Sequence, residues 1–190
     1  MNNLQDHNNS TEVLKQKLSD YGILWQKWGT GPTKTLEHLV HEITEGETSL
    51  VEKEGELLRQ VGVVTIEVTY HDNGNIYKLI EYRQEFVDGR TRHRKLKSSI
   101  CEKLKPNETP DQTVKFCLKE ELGLEIDKKL KPIKTEEDIE DSPSYPGLKT
   151  RYLLHRFAID LPMDKYSSSG YTEKQPDKTP YYAWQKVARA

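Results

Sequence analysis

Apolar positions recur at helical spacing over the N-terminal quarter of the chain and afterwards in short β-branched runs. Val13, Leu14, Leu18 and Tyr21 fall near one helical face, with Ser10 as a candidate cap and Gly22 as a stop. The Asn-rich stretch before Ser10 is expected to be mobile. A second helix is better specified: Thr35 caps it, Leu36, Leu39, Val40 and Ile43 keep the i, i+3, i+4, i+7 pattern, and Gly46 ends it. Beyond a Glu-rich connection the period changes. Val61 to Tyr70 (VGVVTIEVTY) is β-branched, Asn73-Gly74 supplies the turn that hairpins prefer, and Ile76 to Phe86 returns as the partner strand. Asp88-Gly89 offers a second turn into the basic, strand-like stretch Arg90 to Leu96, so the simplest assembly is an antiparallel meander.

The pattern turns helical again after Pro106. Thr109 suits an N-cap, Pro110 the first turn and Gly123 the left-handed stop, which predicts a helix over about Pro110 to Leu122. On it Val114, Cys117, Leu118 and Leu122 make an apolar stripe, with Glu121 at its border and Glu120 one turn beyond Phe116. Adjacent carboxylates in a last turn oppose the helix dipole, each by roughly a few tenths of a kcal/mol when exposed. They mark either a solvated helix end or a site that compensates them. Ile126 to Asp141 is charged, basic first (Lys128, Lys129, Lys131, Lys134) and then acidic (Glu136, Glu137, Asp138, Glu140, Asp141), and reads as an insertion loop. Ser144 to Gly147 reads as a turn, Tyr152 to Leu161 as a buried strand ending at Pro162, and Tyr166 to Thr179 as loop. The closing aromatics Tyr181, Tyr182 and Trp184 are expected to pack against the sheet.

Residues Pro106 to Leu124, PNETPDQTVKFCLKEELGL, resemble the Nudix box, Gx5Ex7REUxEExGU with U apolar. Three parts agree in one register: EExGU falls on Glu120, Glu121, Gly123 and Leu124, the isolated acid on Glu108, and the helix-opening ETP on Glu108-Thr109-Pro110. Over residues 102–124 three positions depart, with Glu102 in place of Gly, Phe116 in place of Arg and Cys117 in place of Glu. The resemblance implies an α/β fold, a mixed sheet flanked by helices. In that family carboxylates hold a divalent cation, usually Mg2+, which stabilises charge on a diphosphate while water attacks phosphorus. Carried over, this makes Glu108, Glu120 and Glu121 metal ligands, with Glu120 and Glu121 catalytic. Phe116 lacks the guanidinium that orients these carboxylates, and Cys117 offers a neutral thiol, a poor ligand for magnesium. A weakened Mg2+ site and slow or absent hydrolysis are expected.

Arg90, Arg92 and Arg94 alternate and would share one strand face, with His93 on the other, either to bind a phosphorylated ligand or to protect a sheet edge; Lys95 and Lys97 extend the basic stretch. Gly29 to Thr35 fails as a P-loop, because Thr33 stands where Gly must precede Lys and Pro32 removes an amide. It reads as a loop anchored by Trp25 and Trp28. Glu136, Glu137 and Glu140 read as solvated surface, and His155 as a satisfied core histidine.

Composition narrows the remaining classes. A chain of 190 residues suits one domain with an N-terminal arm better than two full domains. Apolar residues at 34% against 32% charged imply a compact core under a large solvated surface. No apolar run approaches the roughly 20 residues that span a bilayer, and Met1 to Thr11 is polar, so a cytoplasmic protein without membrane association is expected. Cys101 and Cys117 show neither CxxC spacing nor nearby His, which favours reduced thiols over zinc or a disulfide. A net charge of -2 gives no general reason to bind nucleic acid. The organisation expected is a helical extension over residues 1–59 and a Nudix-like α/β domain over residues 60–190. The preferred function is a catalytically impaired module that binds a phosphorylated, nucleotide-like small molecule, or a protein partner through the N-terminal helices. The alternative is a magnesium-dependent hydrolase of a nucleoside diphosphate linked to another group.

Overall fold

The computed structural model describes residues 3–94, 98–127 and 129–189, so Lys95, Leu96, Lys97 and Lys128 of the basic stretches lie outside the described residues. Two compact units divide the chain. The first comprises Met1–Gly62 and Glu137–Leu153, the second Val63–Glu136 and Leu154–Ala190. Three strands, β2 (Glu56–Asp72), β6 (Lys134–Glu140) and β7 (Thr150–Asp160), contribute residues to both.

The first unit holds α1 (Asn3–Asp20), a 3-10 turn at Trp25–Lys27, α2 (Leu36–Thr44) and β1 (Ser49–Lys53). Helix α1 starts at Asn3, so Ser10 lies inside it rather than capping it, and residues 3–9 of the Asn-rich lead-in are helical. Leu14 and Leu18 face inward, whereas Val13 is 63% exposed and leaves the stripe. The Thr35 side chain caps α2 by accepting from the His38 amide, and the His38 ring answers the Thr35 amide. Strand β1 occupies the Glu-rich connection and pairs antiparallel with β2, from Ser49↔Gln60 to Lys53↔Glu56. Glu54 and Gly55, both at positive φ (53° and 82°), make the turn between them. The core gathers Leu18, Trp28, Leu36, Leu39, Leu57, Tyr145 and Leu148. Each fully buried Leu stabilises the unit by about 1.5–3 kcal/mol.

The second unit is built on a mixed sheet. Its strands are β2 and β7 with β3 (Asn75–Phe86), β4 (Thr91–His93), β5 (Ile100–Lys103), β6 (Lys134–Glu140), β8 (Tyr171–Thr172) and β9 (Lys178–Arg189). Their order is β6-β7-β2-β3-β9-β8, with β4 on β3 and β5 on β2. Asn73 and Gly74 form the expected hairpin turn, at φ 46° and 72°. Strands β2 and β7 advance in the same direction, since the Arg59 amide donates to Lys149 O at 2.9 Å and the Leu161 amide to Thr69 O at 2.8 Å. The pairings β2 to β3, β3 to β9 and β2 to β5 are antiparallel. One helix, α3 (Pro110–Leu122), lies on this sheet. Its Val114, Cys117, Leu118 and Leu122 pack on Val64, Ile66 and Val68 of β2, Leu79 of β3, Ile100 of β5, Phe157 and Ile159 of β7, and Tyr182 of β9.

Two corrections follow for the charged stretches. The segment 126–141 is not loop throughout, because β6 pairs with β7 and carries Glu136, Glu137 and Glu140 on an almost wholly exposed strand. Arg156 of β7 pairs with Glu136, which also takes Lys134 at 2.5 Å. The segment Tyr166 to Thr179 is likewise not loop throughout, because β8 takes Tyr171–Thr172 and β9, which carries the closing aromatics, begins at Lys178. Among the described residues no helix is long and apolar enough to cross a membrane.

Candidate functional site

Local chemistry fixes α3. Thr109 caps it by accepting from the Gln112 amide, the Gln112 side chain returns a bond to the Thr109 amide, Pro110 sits in the first turn, and Gly123 closes the helix in the left-handed region at φ 64°. The apolar stripe turns Cys117 inward, 3% exposed, at the position where the Nudix pattern has a carboxylate. Burial pushes its thiol up to about 12, with Glu102, Glu121 and Glu108 adding to the shift and Lys105 opposing it. Cys117 is therefore a neutral packing group, not a thiolate.

The three acids expected to bind metal part company. Glu108 accepts from Thr113 Oγ1 at 2.9 Å. Glu121 is half-buried and has both oxygens engaged, Oε2 by the Tyr182 hydroxyl at 2.7 Å and Oε1 by Gln175 Nε2 at 2.9 Å. Glu120 is exposed. Among the described residues no three His, Cys, Asp or Glu side chains gather as a metal-binding group. Magnesium demands octahedral oxygen ligands near 2.0–2.1 Å. Glu108 and Glu121 are already hydrogen-bonded, Glu120 is exposed and Cys117 is a neutral thiol, a donor set that fits it poorly.

A further carboxylate, from the sheet, is buried in this unit. Strand β3 carries a bulge: Glu81 pairs with Tyr182 and Arg83 with Tyr181, which leaves Tyr82 unpaired. The extra residue shifts the strand's alternation, so Glu81 and Gln84 are both buried while Tyr82 is exposed. Glu81 follows Leu79 on the core-facing side, and a lone acid at that parity was the legible signal for it. Its Oε2 accepts from Arg94 Nη1 at 3.0 Å, its Oε1 is buried, and Gln84 lies beside the carboxylate. Burial raises the Glu81 carboxyl above the ordinary value of 4.5; Arg94 and Gln84 oppose the shift, Glu121 adds to it, and Lys178 opposes it.

The folded chain thus holds the Glu81 proton more tightly than the unfolded chain does. This contribution to stability is fully present below the unfolded value near 4.5 and is lost as pH rises through the raised folded value. Urea unfolding across that range is expected to show stability declining with pH, and Glu81→Gln is expected to flatten the decline. An unchanged slope in the variant would rule out Glu81 as its origin.

The three arginines do not act as one clasp. Arg90 Nε donates to Asp88 at 2.7 Å, and its guanidinium lies over the Phe86 ring. Arg92 is exposed on β4, and Arg94 lies beyond that strand, where its amide donates to Tyr82 O and its guanidinium turns to Glu81. Lys105 is the cation that the box pattern does not reveal. Its ammonium stands 4.5 Å from the centre of the Phe116 ring, so a positive charge lies over the position where the Nudix pattern has arginine.

The aromatics of β9 divide by face. Tyr182 serves Glu121, and Trp184 packs with Tyr70, Tyr166 and Tyr171 while donating to Ser167 O. Tyr181 turns the other way, under Arg83 at 4.1 Å, and donates to Glu85. Cavities in this unit include one of about 660 Å³ beside Thr109, Lys115, Lys129 and Lys131, and one of about 510 Å³ among Leu124, Ile126, Leu130, Ile159 and Leu161. Neither is lined by Glu81, Glu108, Glu120 or Glu121. A comparison with protein-family models finds no match to the chain, and a comparison with curated proteins finds none.

Proposed function

We propose that the second unit is a Nudix-like binding module, impaired in hydrolysis, that takes a phosphorylated, nucleotide-like small molecule beside its box helix. One observation carries this reading: Glu121 has both oxygens engaged by Tyr182 and Gln175 next to a buried, neutral Cys117. The groups that would hold a metal and activate water are thereby committed to the fold. Lys105 over Phe116 and the exposed Arg92 supply positive charge without a metal ion, the kind of donors that bind phosphate oxygens. Capping and apolar packing preserve the helix, which accounts for a box whose frame persists while its chemistry departs.

A panel of nucleoside diphosphates linked to sugars, nucleosides or other groups, offered with Mg2+ or Mn2+, tests this reading. No release of phosphate or monophosphate is expected from the wild type or from Glu121→Gln. Calorimetry with the same panel in EDTA is expected to detect binding that Lys105→Ala weakens about tenfold, the loss of one charge-assisted contact worth about 1.4 kcal/mol. Turnover abolished by Glu121→Gln would establish the hydrolase instead.

A further inference from the structure

One edge of β7 is only partly covered. Successive residues of a strand turn their amide and carbonyl to opposite sides. The Leu161 amide donates to Thr69 O of β2, whereas Arg156 O accepts from the Ile133 amide just ahead of β6. Ala158 and Asp160 therefore face the side that β6 takes further back along β7. Strand β6 does not reach them, since it begins at Lys134 and Ile133 makes the last bond. Among the described residues no backbone hydrogen bond joins Ala158 or Asp160 to the segment 124–132, and both are exposed.

Beside this edge lies the cavity of about 510 Å³. Ile159 and Leu161 wall it from the sheet, and Leu124, Ile126 and Leu130 from the chain that follows α3. A strand laid along Ala158 and Asp160 would bond through the two residues opposite them. The residue between those two would stand opposite Ile159 and point its side chain to the cavity side. Charge narrows the occupant further. The lining carries Glu125, Asp127 and Asp160 against Lys165. Lys119 pairs with Glu125 at 2.8 Å, while the Asp160 side chain, 79% exposed, meets the Thr69 hydroxyl and His71. The balance favours a cationic neighbour, and opposite charges directly across two strands stabilise their pairing.

We propose that the open end of β7 is a docking edge for an extended peptide that seats a large apolar side chain in the cavity and sets Lys or Arg against Asp160. The peptide runs antiparallel to β7, in line with β6, whose contacts pass from Ile133 with Arg156 to Glu137 with Arg151. Main-chain bonds supply affinity and the pocket supplies specificity. A small apolar molecule would fill the cavity but leave the edge to water. The inference does not depend on reading α3 as a box helix.

The probe is the dye-labelled pentapeptide acetyl-Thr-Lys-Phe-Lys-Thr-amide, titrated with the full chain and read by fluorescence anisotropy. Saturable binding is expected, weakened about tenfold or more by Phe to Ser in the peptide and by N-methylation of its two Lys amides, which face the edge. N-methylation of the Phe amide, which faces away, is expected to leave binding unchanged. Ala158→Pro removes a donor that no bond of the fold uses, a change that an open edge tolerates. It is expected to unfold with wild-type midpoint and to bind about tenfold more weakly. Asp160→Lys is expected to lose this peptide and to bind acetyl-Thr-Glu-Phe-Glu-Thr-amide instead.

No saturation up to about 1 mM peptide overturns the proposal. So does an equal effect of the two N-methylations, or acetyl-phenylalanine amide competing as well as the pentapeptide, which would make the cavity a small-molecule pocket. A dimer in sedimentation that Ala158→Pro dissociates would place a second copy on the edge and overturn it as well.

Discussion

Replacing Gly170 with alanine is expected to destabilise the protein by about 3 kcal/mol or more, combining overpacking with left-handed backbone strain. Gly170 sits at φ +77°, and a Cβ built on it would stand 1.9 Å from Tyr182 O, 3.0 Å from Tyr182 C and 3.3 Å from Ala183 Cα. All three are backbone atoms, so no rotamer relieves the clash. Relief requires β8 and β9 to part at the Tyr171↔Tyr182 pair, and Tyr182 is the residue that holds Glu121. Gly89 provides the control, since it has a similar φ of +83° and nothing within 4 Å of its built Cβ. Gly89→Ala should lose only about 1 kcal/mol from backbone strain. Urea denaturation of the two variants separates crowding from φ, and equal, small losses would refute the close approach at Gly170.

Arg59→Met is expected to be comparably damaging, at about 3–5 kcal/mol, because it strands a buried charge in the first unit. The Arg59 and Glu42 side chains are each 6% exposed, joined at 2.6 Å from Nη2 and 3.2 Å from Nε. Burial by itself would raise the Glu42 carboxyl, but hydrogen bonds from Lys34 and Arg59 prevail and hold it below the ordinary carboxylate range. Without Arg59 the remaining ion pair among the described residues is the 2.5 Å contact to the partly exposed Lys34. Arg59→Met combined with Glu42→Leu should recover most of the loss, since a matched apolar pair replaces a buried ion pair at little cost. A single variant within about 1 kcal/mol of wild type, or a double variant as unstable as the single, would show that the pair is not energetically coupled.

What was legible in the chain was local. The limits of α3 are set by Thr109, Pro110 and Gly123, and those of α2 by Thr35 and Gly46, residues that act within a turn of where they stand. The Asn73-Gly74 hairpin belongs to the same class. Charged strands were not legible, because β6 and β1 pair through backbone and carry no apolar alternation to betray them. The site divides in the same way. Glu108, Glu120 and Glu121 could be numbered from the box pattern, but the hydrogen bonds that engage Glu108 and Glu121 come from Thr113, Tyr182 and Gln175, two of which lie on other segments of the chain. Glu81 and Arg94 meet only because a bulge at Tyr82 resets the parity of β3 and β4 folds back along it. No spacing rule anticipates that.

The discontinuous make-up of the first unit bears on the order in which the chain acquires its structure during synthesis. Leu18 and Leu39 share a core with Tyr145 and Leu148, which are fully buried yet separated from them in the chain by α3 and most of the second sheet. Ribosomes add about 5–20 residues per second and release segments from the N-terminus onward. Helices α1 and α2 therefore emerge early but wait, their apolar faces uncovered, until the 137–153 segment has left the exit tunnel. The first unit to begin is the one that cannot close early.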